Sequence, residues 1–263
     1  MRKAIMYLLL ALGITLVVLF IGGAMVGLIA GFIDGFYGNE ARTTTPMSVM
    51  VYAGSVSAVL LCTILNWVFL KLGFANYSLG RIPKKNSVRV KVVAGVILAM
   101  AGMAIMHCLM LDVSKNFETG AMINKSYAWM RQHPVYSMVI QVLIEATANL
   151  VIYGAVLREI LEWKHRPFII IPIFGVFMGV LSLMGGNPML LLPAFMVAQF
   201  EGAVYEYTRS VIPLIIGDVV FWIVMLCLVG ILTHGWWFLV AGVIAVPGVY
   251  LALKTMEPYK PID

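Results

Sequence analysis

The sequence predicts an all-α protein, a polytopic transmembrane bundle of about eight helical spans, on three observations. The first is composition. Of 263 residues, 62% are hydrophobic and only 11% charged, whereas a soluble chain is typically about 45–50% apolar and 25% charged. The second is run length: a hydrocarbon layer about 30 Å thick takes roughly 20 apolar residues of helix to cross, and the chain supplies that length repeatedly. The third is texture. The runs are continuous rather than alternating, so of the two structures that satisfy their backbone groups in lipid, helices and closed barrels, they fit helices.

The spans fall at roughly 4–33, 48–74, 90–111, 134–161, 167–185, 189–207, 211–233 and 236–255. The first follows Met1-Arg2-Lys3 and is nearly thirty residues long, against the 7–15 of a cleavable leader. It reads as a retained span rather than a leader cut near Ala24. Orientation follows from Lys and Arg in the short loops. Fourteen of the 18 lie on one side (Arg2, Lys3, Lys71, Arg81, Lys84, Lys85, Arg89, Lys91, Arg158, Lys164, Arg166, Arg209, Lys254, Lys260), and four on the other (Arg42, Lys115, Lys125, Arg131). That division makes both termini cytoplasmic, and a bacterial inner membrane is the expected location. The net charge of +6 calls for no nucleic acid, because the basic residues gather at these loops and helix ends.

The loop from Ala75 to Ser87 is the most basic and reads first as a topology determinant, with contact to anionic lipid or a partner's acidic tail as its functional alternative. The outer stretch from Asp112 to His133 is the longest outside the membrane, and Tyr127, Trp129 and Tyr136 near its return are expected interfacial anchors. Small residues at Gly22, Gly23 and Gly27, and at Gly175 and Gly179, permit close helix approach. Cys62, Cys108 and Cys227 lack CxxC or Cys/His spacing, so neither a disulfide framework nor a zinc site is expected. His107, His133, His165 and His234 show no mutual ligand spacing, and neither a metal nor another cofactor is expected.

Three acids stand inside apolar spans: Glu145, Glu201 and Asp218. Ionisable groups at such depth are functional-site candidates by default. Gln141, Glu145 and Asn149 are spaced i, i+4, i+8, which makes one polar stripe on the fourth span. Glu201 and Asp218 each lie six or seven residues from the same membrane face and should share a depth of about 10 Å. No Lys or Arg lies deep inside a span to pair with them; Lys71, Lys91, Arg158 and Lys254 stand at the span ends. The plain structural alternative is that each acid is hydrogen-bonded to a neighbouring backbone or hydroxyl group.

The order of landmarks from Gln141 to Trp222 resembles the core of the CPBP family, the CAAX proteases and bacteriocin-processing enzymes (also called Abi proteins). Tyr153-Gly154-Ala155-Val156-Leu157 is similar to the family's RGxLL, with Tyr153 in place of its arginine. Phe177 matches the Phe of FxxxH. The segment YEYTRS resembles the family's turn ending in T-G-S, through Tyr205, Glu206, Thr208 and Ser210. The resemblance implies intramembrane peptidase ancestry with a core in spans four to seven. It also places the paired glutamates at Ala148 and Asn149, the two histidines at Leu181 and Asp218, and the final Asn at Trp222. None of these positions carries the family's residue, so the general base and the oxyanion donors that hydrolysis requires are absent there.

The expected organisation is 1–133, holding spans one to three with the basic loop and the outer loop, and 134–263, holding the core (134–233) and the last span. Asn149, Leu181, Asp218 and Trp222 are expected around one cavity, with Gln141, Glu145, Tyr153 and Glu201 as further candidates. The function expected is a non-catalytic relative that binds a membrane partner or lipid-modified peptide in the former active-site cavity; the partners expected are membrane lipids and a membrane protein or lipidated peptide. One alternative is an active endopeptidase with Glu145 as base, Asp218 as second acid and Asn149 as the sole oxyanion donor. Another is a proton- or cation-coupled transporter using Glu145, Glu201 and Asp218.

Overall fold

The computed structural model describes residues 2–37, 47–73, 86–113, 128–164, 166–182, 188–229, 231–232 and 234–257. Most of the basic loop and of the outer stretch, together with Tyr127 and His165, lie outside the described residues. Those described are helical almost throughout and contain no strand.

Eight helices appear where the apolar runs stand: α1 (Arg2–Tyr37), α2 (Met47–Lys71) and α3 (Asn86–Val113), then α4, α5 (Pro167–Ser182), α6 (Leu191–Thr208), α7 (Ile212–Leu228) and α8 (Trp237–Met256). Helix α4 is a rod in three parts: Pro134–Asn149, a wide π-helical segment Leu150–Leu157, and Arg158–Lys164. Prolines open α4, α5 and α7, at first-turn positions where the missing N–H has no helical partner to lose.

Five stretches are long and apolar enough to cross a membrane: Arg2–Gly22, Asn86–Val113, Pro134–Trp163, Pro188–Thr208 and Trp237–Met256. Ser55–Lys71, Pro167–Ser182 and Ile212–Leu228 are shorter apolar helices. The chain is therefore a helical membrane protein.

The larger core gathers α3 to α8. It includes Val96 and Met100 of α3, Leu157 of α4, Val204 of α6 and Met225 of α7, all nearly inaccessible. Helix α3 stands inside this core. The reason lies in its small residues. A Cβ added to Gly95 would lie 2.5 Å from the Ala252 nitrogen, and one on Gly102 would lie 2.6 Å from that of Ala245. On the facing helix Gly248 lies against Ala99. Bare backbones at these crossings let α3 and α8 meet at near-minimal separation. A smaller core joins α1 and α2 to the π-helical segment through Tyr7, Phe69, Leu150 and Ala155.

Helix α5 leans mainly on α6. Gly175 leaves room for the Gln199 side chain of α6, whose Nε2 donates to the carbonyls of Ile171 and Pro172 at 2.9 and 3.1 Å. Gly179 meets Phe195 one turn on. Between α6 and α7, Arg209 takes a left-handed conformation (φ 50°), and its N–H donates to the Tyr205 carbonyl at 2.6 Å. The Thr208 hydroxyl accepts from the Ser210 N–H and the Ser210 hydroxyl from the Ile212 N–H. This short turn sets α7 antiparallel beside α6 and brings Asp218 back to the depth of Glu201.

Candidate functional site

Six polar or aromatic side chains from three helices converge between α4, α6 and α7. Helix α4 contributes Glu145, Asn149 and Tyr153 at intervals of four residues, so they line one face. Helix α6 contributes Glu201, and α7 contributes Asp218 and, one turn on, Trp222. Asn149 Nδ2 donates to Asp218 Oδ2 at 2.5 Å. The Tyr153 hydroxyl donates to Glu201 Oε2 at 2.7 Å. The carboxyl groups of Glu201 and Asp218 stand as neighbours across α6 and α7, and Glu201 Oε1 is buried without a hydrogen-bond partner among the described residues. Glu145 reaches the Trp222 side chain. The Tyr205 hydroxyl lies 3.5 Å from the Gly154 carbonyl, within the π-helical segment, where carbonyls are displaced from their usual partners.

Burial is nearly complete: Asn149, Asp218 and Glu201 are 3, 5 and 6% exposed. No ion pair reaches them among the described residues; Arg158 and Arg209 pair instead with Glu162 and Glu206. Charge without a partner is unfavourable in a site this dry, and the observed arrangement answers that with hydrogen bonds between neighbouring helices. Chemically the site can hold and pass a proton among carboxyl groups. Among the described residues it presents no imidazole: His107 packs edge-on against Phe221 and His133 stacks on Trp129. No group of three metal-ligating side chains occurs among the described residues.

The structure brings together Glu145, Asn149, Tyr153, Glu201, Asp218 and Trp222 and leaves out two residues. Gln141 lies one turn before Glu145 on α4, with Nε2 3.9 Å from Met130 Sδ. Leu181, expected beside Asn149, Asp218 and Trp222, is 39% exposed and lines an apolar groove between α1, α4 and α5. The close seat of Gly175 and Gly179 on α6 turns that edge of α5 outward. Ala148 faces a different apolar cavity, between α1, α2 and α4. The shared depth of Glu201 and Asp218 is found as expected from their distances to the helix ends.

The pairing of Tyr153 with Glu201 is not evident from sequence, although a tyrosine one turn beyond Asn149 on the same stripe is its signal. Tyr153 also touches Phe174 edge-on, ring centres 5.6 Å apart, and Phe174 lines the groove of Leu181. One aromatic pair thus separates the polar centre from the groove. Compared with family models, with curated proteins and with solved structures, the chain matches none.

Proposed function

We propose that this chain is a degenerate relative of the CPBP intramembrane proteases that performs no hydrolysis and binds a membrane partner or lipid-modified peptide at the former active-site region. The observation that carries this reading is the Asn149–Asp218 hydrogen bond. Asn149 is the one amide among the positions aligned with the family's catalytic residues, and the other donor among them, the Trp222 indole, is engaged by Glu145. Asn149 Nδ2 is committed to a neighbouring carboxyl at 2.5 Å. Loss of one oxyanion donor typically lowers rate by a factor on the order of 10²–10³, and the family's two histidine positions here hold Leu181 and Asp218.

Two features support the ancestry. Asn149 and Asp218, which the alignment sets at a glutamate and a histidine of the family, are in contact. Arg209 occupies the glycine position of the T-G-S turn and adopts the left-handed backbone that glycine takes most readily. The proposal includes eight spans in a bacterial inner membrane with both termini cytoplasmic, on the 14 to 4 division of Lys and Arg.

The test is to incubate purified protein in lipid with prenylated and leader-peptide substrates, alongside Glu145→Gln and Asp218→Asn. No cleavage above background is expected from any of the three. Cleavage by the wild type that both substitutions abolish would overturn the reading and favour a peptidase built on the relocated acids. For the topology, cysteine labelling should find residues 75–87 cytoplasmic and 112–133 external, and the reverse pattern would refute the orientation.

A further inference from the structure

The groove that takes Leu181 has its own logic. It has a volume of about 620 Å³. One wall is a stripe on α5 at four-residue intervals, Ile169, Ile173, Phe177 and Leu181, all solvent-accessible. Val156 and Ile160 of α4 face it, with Phe174 buried beneath. The stripe covers twelve residues, about 18 Å of helix, slightly more than the roughly 15 Å depth of one hydrocarbon leaflet. At the end nearest the α4–α5 turn stand Arg166 and Trp163, both exposed. Trp is the aromatic of membrane–water interfaces. Arg166 is the sole charged side chain in the lining, and no carboxylate pairs with it among the described residues.

The lining is apolar along its length, and hydrocarbon chains, whose carbons approach neighbours to about 4 Å, fit it. Charge selects the occupant. A guanidinium at the mouth of an apolar channel matches a phosphate group through paired N–H···O bonds, and basic pockets between membrane helices on the cytoplasmic side bind anionic head groups.

We propose that the groove between α1, α4 and α5 is a binding site for an anionic phospholipid, with acyl chain along Ile169–Leu181 and phosphate on Arg166. The site goes beyond the function proposed above and does not depend on it: either can fail while the other stands.

The experiment reconstitutes the full chain in phosphatidylcholine vesicles and measures, by electron spin resonance, the immobilised fraction of spin-labelled phosphatidylglycerol and of spin-labelled phosphatidylcholine. The wild type is expected to prefer phosphatidylglycerol about fivefold, the effect of one basic residue near the membrane surface. Arg166→Gln should remove the preference, and Ile173→Trp, which fills the groove from an exposed position, should lower the immobilised fraction of both lipids. Lys71→Gln, at the end of α2, should change neither. Equal affinity in the wild type, a preference that survives Arg166→Gln, or an equal loss in Lys71→Gln would each overturn the site. So would displacement of the labelled lipid by a lipidated peptide at lower concentration, which would give the groove to that ligand instead.

Discussion

The α3–α8 seam and the polar centre between α4, α6 and α7 hold helices together by opposite means. In the seam glycines meet the backbone of alanines: Gly95 on Ala252, Gly102 on Ala245, Gly248 on Ala99. In the centre, carboxyl, amide and phenol groups bond across helices at 2.5 and 2.7 Å. Lipid removes the hydrophobic drive that would bring helices together in water, so association rests on close contact and on such bonds. Contact accumulates along the whole seam, while an interhelical hydrogen bond in a membrane contributes about 0.6 kcal/mol on average. Burying two acids for two such bonds is a poor route to stability. The difference argues that the seam is architecture and that the polar centre is retained for what it binds or moves.

That division can be broken by substitution. Gly102→Leu forces a side chain into a place where even a Cβ lies 2.6 Å from backbone, so α3 and α8 must separate. Overpacking typically costs about 1–3 kcal/mol and more where backbone must move; the upper end or beyond is expected, read by unfolding in mixed micelles. Tyr153→Phe removes the donor to Glu201 Oε2 and leaves a buried oxygen unpaired, for a loss of about 1–2 kcal/mol. The order matters more than either value. If Tyr153→Phe were the more damaging, the polar centre would be structural and the division would fall.

The legible part of this molecule was the part written in hydrophobicity. Apolar run length located eight of the helices among the described residues, and the depth of Glu201 and Asp218 followed from their distances to helix ends. The polar stripe on α4 marked Glu145 and Asn149 because a carboxyl or amide inside such a run has few innocent explanations. What stayed hidden depended on register. In a helix that is apolar all round, sequence does not distinguish the ordinary turn from the π-helical turns of Leu150–Leu157. It also does not say which edge of α5 faces outward, so Leu181 could not be separated from Asn149. The seam did leave a trace: small residues at 95, 99 and 102 oppose others at 241, 245, 248 and 252. That spacing predicts a close crossing as well as the Gly175–Gly179 pair does.

The smallest effect expected lies at the turn that aligns the two acids. Arg209 sits at φ 50° and ψ 35°, a conformation that disfavours residues with a Cβ by about 1–2 kcal/mol. Its guanidinium meanwhile lies 2.7 Å from a Glu206 oxygen. Arg209→Ala keeps the backbone penalty and loses the ion pair. Arg209→Gly loses the same ion pair but relieves the backbone, against a gain in unfolded-chain freedom of roughly 0.4–1 kcal/mol. The ion pair cancels in the comparison, so the difference between the two variants reads the turn alone. Glycine is expected to be the more stable by up to about 1 kcal/mol, measured in the same micelle titration. Equal stabilities would mean that the left-handed turn does not prefer glycine, and the resemblance of YEYTRS to a T-G-S turn would lose its physical basis.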